Sequence, residues 1–153
     1  MTAEEINWDE IKYFSPRDFD DPNVPGSWRH MAADSILWLN DLRERTGWPI
    51  IPHNQYGVRG CVCVDPSGHS MNSRHYINYP GGCSAIDFHF ACDASRREQA
   101  KAVMETRFTG IGVYYDWRWN GRLLPVGFHV DIRPRPLAQI WKRVRGEYLY
   151  YLR

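Results

Sequence analysis

Ser73 to Phe90 reads SRHYINYPGGCSAIDFHF, and its last six residues decide how the chain is built. Ile86, Phe88 and Phe90 alternate with Ala85, Asp87 and His89, the period-two pattern of a strand with one apolar and one ionisable face. Gly127 to Arg133 (GFHVDIR) repeats it, with Phe128, Val130 and Ile132 on one side and Gly127, His129, Asp131 and Arg133 on the other. Two such strands side by side share a core through their apolar faces and lay a polar floor with the others. That floor, with His75 just upstream, is where function is expected.

Outward from these strands, the pattern is that of an α+β fold, a small antiparallel sheet packed against two to three helices. Ala32, Ile36 and Leu39, with Leu42 nearby, recur at helical spacing between about His30 and Thr46, and Gly47 supplies a stop. Trp48-Pro-Ile-Ile-Pro reads as an edge strand, because prolines cannot donate to a ladder. Residues 53–60 read as a loop, Cys61 to Val64 as a short strand, and His69 to Gly82 as a long surface loop. Ser95-x-x-Glu98 is a capping-box pattern that opens a second helix. Gly110 to Asp116 reads as a strand and Asn120-Gly121 as a hairpin tip. Leu137 to Arg145 is expected to be a last short helix before the aromatic end YLYYL. The domain organisation is then an arm over 1–29, a core over 30–133, and a basic, aromatic tail over 134–153 packed on that core.

The composition is that of one soluble domain: 153 residues, 14% aromatic with seven Trp, and 24% charged. A chain of this length buries roughly two-thirds of its unfolded surface. The net charge of +1 advertises no nucleic-acid partner. The acidic first segment (Glu4, Glu5, Asp9, Glu10, Asp18, Asp20, Asp21) and the basic last one (Arg133, Arg135, Lys142, Arg143, Arg145, Arg153) read as solvated faces that pair internally, or else as a contact for an anionic polymer. No apolar run approaches the roughly 18 to 20 residues of a membrane span. The first residues lack the basic and apolar regions of a secretory signal. A monomer made in the cytoplasm, with no membrane partner, is the expectation. The four cysteines, Cys61, Cys63, Cys83 and Cys92, fit reduced thiols, with a thiolate metal site as the alternative.

Zinc enzymes that hydrolyse amides use three His or carboxylate ligands and leave a fourth position open. His75, Asp87 and His129 offer such a set from a loop and two strands, although six histidines are present and spacing by itself does not choose among them.

Ser73-x-His75, Gly82, Ala85-Ile86-Asp87 and then His129-Val130-Asp131 resemble the signature of the zinc D-Ala-D-Ala carboxypeptidase and L-alanyl-D-glutamate peptidase superfamily, with its hedgehog-like fold, and above all its small bacterial and phage members. The likeness extends over roughly residues 28 to 133. It implies one zinc ion held by His75, Asp87 and His129, Arg59 as the arginine that meets a substrate carboxylate or carbonyl, and the Gly-Tyr segment containing Tyr114 and Tyr115 ahead of the last ligand. Arg74 is a second candidate for the carboxylate, and the two tyrosines are candidates for the oxyanion or for cleft lining. Trp117 and Trp119 either stack on sugar rings or cover the core.

The chain departs from the family pattern twice. Asp87 stands twelve positions after His75, farther than the family spacing, so Asn78 to Gly82 is expected to be a looped insertion. Val126 occupies the place where better-known members carry a glutamate as general base. Asp131 and His89, each two along a strand from a ligand and so on its face, are the alternatives, either as base or as groups that orient a ligand.

The resemblance implies a zinc metallopeptidase that hydrolyses peptidoglycan stem peptides or cross-links containing D-amino acids. A phage or prophage lysin that reaches the wall after release or as a virion component is the expected setting. The alternative is a wall-binding or structural module that keeps the fold and the metal without turnover.

Overall fold

The computed structural model describes residues 1–54, 57–65, 74–75, 82–134 and 138–152, the last two by their backbone. The arm begins with 3-10 turns at Ala3–Glu5, Trp8–Glu10, Pro16–Phe19 and Ser27–His30. Helix α1 spans Ala33–Thr46 and strand β1 Ile50–His53; β2 is Ala85–Phe90, α2 Arg96–Met104, and β3 Gly110–Tyr114. The short strands β4 (Arg118–Trp119) and β5 (Arg122–Leu123) precede β6 (Gly127–Asp131), β7 (Gln139–Val144) and β8 (Glu147–Leu152).

The expected α+β architecture is present, but the sheet is mixed. Six strands lie in the order β1-β2-β6-β3-β7-β8, every pair antiparallel except β3 with β7. The parallel pair arises where the sequence analysis expects a terminal helix. From Gln139 onward that segment is strand, with Trp141 beside Gly112 and Tyr114 beside Arg143. The tail therefore extends the sheet by a hairpin instead of packing on it. Cys61 to Val64 forms no strand of its own. Its amides donate to the carbonyls of Asp20, Phe19 and His75, which ties the arm to the connection that leads to the site. Apart from Arg74, His75 and Gly82, the expected loop from His69 to Gly82 lies outside the described residues, as do Ser73 and Leu137.

Local chemistry accounts for the other elements. Gly47 closes α1 in the left-handed region (φ 70°), its amide reaching the Arg43 carbonyl at 3.0 Å, as a helix C-terminus favours. The Ser95 hydroxyl accepts from the Glu98 amide while the Glu98 carboxylate accepts from the Ser95 amide, so both partners of the capping box start α2. Asn120 and Gly121 both take positive φ and join β4 to β5 in the tight hairpin expected of Asn-Gly.

The two α-helices of the described residues cover the apolar face. Ile36, Leu39 and Leu42 of α1 and Val103 of α2 pack in one cluster with Ile86, Phe88, Ile111, Phe128 and Val130. Each fully buried side chain of this size contributes about 1.5–3 kcal/mol relative to exposure. The arm joins the same core through Phe14 and Phe19. Three of its acidic residues turn inward to the chain itself, while Glu4, Glu5, Asp9 and Glu10 stay exposed: Asp21 accepts from the Val64 amide at 3.1 Å, Asp20 from the Trp28 amide at 2.9 Å, and Asp18 pairs with Arg59. Arg143 of the tail pairs with Asp116 of the core, a further internal pairing of charges. No helix among the described residues is long and apolar enough to cross a membrane.

Candidate metal centre

One transverse row of the sheet carries the polar floor. His53 of β1 stands beside Asp87 of β2, Asp87 beside His129 of β6, His129 beside Gly112 of β3, and Gly112 beside Trp141 of β7. The helices cover the opposite face, so this one is left for chemistry. Two glycines let the larger side chains lie down on it. A methyl group on Gly110 would overlap the Asp131 carboxylate, and one on Gly112 would come within 2.7 Å of the Trp141 indole nitrogen and the Tyr114 ring.

His75, Asp87 and His129 converge as the resemblance implies, their ligand atoms all within 4.8 Å of one another. His129 Nδ1 lies 2.8 Å and His75 Nε2 3.4 Å from the same Asp87 oxygen. Donors bound tetrahedrally to zinc at about 2.0–2.2 Å stand about 3.3–3.6 Å apart, so the set fits a zinc ion with small adjustments. Asp87 keeps 25% of its side-chain surface and opens onto a cleft of about 240 Å³ lined also by His53, Asn54, Gly57, Trp117 and Arg118.

Asp131 sits behind this set. It has no exposed side-chain surface; it accepts from His129 Nε2 at 2.9 Å, from Arg133 Nε at 2.8 Å, and from the Arg133 amide at 3.2 Å. A carboxylate saturated in this way, out of reach of the cleft, has the geometry of a group that fixes the tautomer and plane of a ligand. Of the two roles open to it in the sequence, this is the one its surroundings fit.

The electrostatics follow the same partners. Burial opposes charge on His129, but the hydrogen bonds it donates to Asp131 and Asp87 outweigh it and push the imidazole up to about 9. Asp87 would be raised by burial, yet His75 and His129 hold it well below the usual carboxylate range. Burial likewise works against Asp131, and His129 with Arg133 keeps it low. His75 is pushed up, burial being overcome by Asp87.

His89 belongs to a different pair. Its Nδ1 meets His53 Nε2 in a short contact, and His53 stacks on Trp119 with ring centroids 4.4 Å apart. Burial lowers both imidazoles to about 4, aided by their mutual proximity at His53 and by Arg59 at His89. Both favour the neutral form at pH 7. His53 and Arg118 were not singled out in the sequence. The proline-rich edge strand was visible, but it was expected to end at Pro52 with His53 in the following loop; the strand includes His53, and the register that sets it beside Asp87 was not visible.

The candidate substrate-binding residues divide. Tyr114 lies on the site face, its hydroxyl accepting from Trp141 Nε1 at 2.9 Å and its ring stacked on Trp117 at 4.3 Å. Tyr115 does not. One residue on, it packs against the hydrophobic core and lies near the Arg96 guanidinium, which removes it from the site. Arg59 is half-exposed and paired with Asp18. Arg74 is half-buried, its carbonyl accepting from the Ser84 and Ala85 amides beside the site. Val126 is buried in the core cluster, on the face turned away from the metal set, so a glutamate there would point into hydrocarbon.

Cys61 and Cys83 also come together at His75, their ligand atoms within 4.8 Å of one another. Compared with family models, with curated proteins and with solved structures, the chain finds no match in any of them.

Proposed function

We propose that this chain is a zinc-dependent peptidase of the D-Ala-D-Ala carboxypeptidase and L-alanyl-D-glutamate peptidase type, with the hedgehog-like fold, acting on peptidoglycan stem peptides or cross-links that contain D-amino acids. The observation that carries the reading is the convergence of His75, Asp87 and His129 on one sheet face, with Asp131 fixing His129 from behind. When bound there, zinc supplies a Lewis acid for the scissile carbonyl and lowers the pKa of water to about 7.

The remaining work falls to the chain's own side chains. Asp87 faces the cleft and His129 is held in one tautomer, its Nε2 proton on Asp131. The neutral His53–His89 pair takes the place of the family's glutamate. Its two facing nitrogens share one proton, and His53, at the cleft wall, accepts the proton released during attack and returns it to the departing amine. Tyr114 and Trp117 wall the floor, while Arg118 at the cleft and Arg59 at its margin offer guanidinium groups to a peptide carboxylate. The setting that agrees with the resemblance is a phage or prophage lysin.

The test is to incubate zinc-loaded protein with purified peptidoglycan, with and without chelator. The expected result is chelator-sensitive release of new amino groups. Zinc held by His75, Asp87 and His129 without any release would instead support the wall-binding or structural module.

A further inference from the structure

His75 belongs to two sets of donors, and the second is made of sulfur. Cys61 and Cys83 are fully buried and both thiols donate to one acceptor, the Ala85 carbonyl, at 3.0 and 3.7 Å. Their backbones are pinned. The Cys61 amide reaches the Asp20 carbonyl, while Cys83 exchanges hydrogen bonds with His30 and Ala32, both of 2.8 Å. Buried cysteines that only fill space behave as small hydrophobes and need no common polar neighbour. These two share an imidazole, with sulfur and nitrogen atoms within 4.8 Å of one another. Tetrahedral zinc with thiolates at about 2.3 Å and an imidazole nitrogen at about 2.0 Å sets those atoms about 3.5–3.8 Å apart, a modest contraction from the observed spacing.

We propose that Cys61, Cys83 and His75 form a thiolate–imidazole position for a thiophilic divalent ion, zinc or cadmium, which competes with Asp87 and His129 for the single imidazole of His75. The competition rests on the peptidase-type metal set proposed above; the thiolate position does not. Binding releases both thiol protons to solvent as the two sulfur–metal bonds form. A neutral imidazole has one free nitrogen lone pair, the other nitrogen carrying its proton, so His75 serves one ion at a time. An ion on the sulfurs leaves Asp87 and His129 as a two-ligand remnant, and the chain acquires a second, inactive metal state.

Titration of the metal-free, reduced protein with cadmium tests this. A thiolate-to-cadmium charge-transfer band should grow and saturate at one equivalent per chain. The Cys61→Ser/Cys83→Ser double variant should lose the band yet still bind one equivalent, Cys63→Ser should keep it, and Asp87→Ala should keep it as well. Cadmium-113 resonance of the unaltered protein should report two sulfur ligands, which decides the matter if the serine variants fail to fold. No band at saturation, a resonance without sulfur ligands, or a band that survives in the folded double variant would overturn the site. A second equivalent bound alongside the band would overturn the competition. A band in the unaltered protein, together with no release from peptidoglycan by the folded, zinc-loaded Cys61→Ser/Cys83→Ser variant, leaves this site standing and sinks the peptidase.

Discussion

His75 and His129 share a sheet face with His53 and His89, yet the first two are pushed toward the protonated form and the second two are held neutral at about 4. Burial acts against charge in all four. The difference lies in the neighbours. His129 meets two carboxylates, one of them locked by Arg133, whereas His53 meets another imidazole and the Trp119 ring. A single fold thus holds one group of imidazoles toward the charged form and another neutral, by placing carboxylates beside the first and aromatic rings beside the second.

The contrast can be broken most severely at the metal set. Asp87→Ala or His129→Ala removes one of three ligands, and roughly a third of the about 10–16 kcal/mol of a protein zinc site corresponds to a loss of about 10²–10⁴ in zinc affinity, measured by competition with a chromophoric chelator. Hydrolysis should fall to background with it. At the neutral pair, His53→Gln should lower turnover by about 10²-fold, the low end of general-base effects, with zinc content unchanged. Loss of zinc in that variant would show that the two groups are one site.

Smaller effects sharpen the comparison. Asp131→Asn keeps the shape but weakens the hold on His129, and about 10- to 100-fold in zinc affinity is expected. In the metal-free protein the folded His129 value, about 9, exceeds the ordinary value near 6.5. Its contribution to stability is therefore complete below about pH 6.5 and lost as pH rises through about 9. Thermal melting across that window should show the decline, no more than about 3 kcal/mol and less after screening, and zinc loading should flatten it because the metal replaces the proton.

Much of this floor was legible in the chain. Alternation in residues 85–90 and 127–133 assigned faces, because a residue's side of a strand depends on its immediate neighbours. Register does not. That His53 stands beside Asp87, and that Trp141 lies over Gly112, follow from pairings between segments far apart in sequence. The segment around Ile140 and Trp141 shows why the terminal helix was expected and a strand formed. A short apolar run carries no decisive period, and its pairing with β3 decided. Tyr114 and Tyr115 were indistinguishable until the strand set their faces. Val126 looked like a lost base, but its place on the core side makes it a packing residue.

The strands that carry His53, Asp87 and His129 are neighbours in space and strangers along the chain. Non-local pairings of this kind form late and set the pace of folding, because their loop-closure entropy precedes their reward. An ion held by this row is therefore captured by a sheet already closed, and it rewards completion rather than guiding the search. On the proposed zinc reading, metal depletion would leave a folded, empty protein, not an unfolded one.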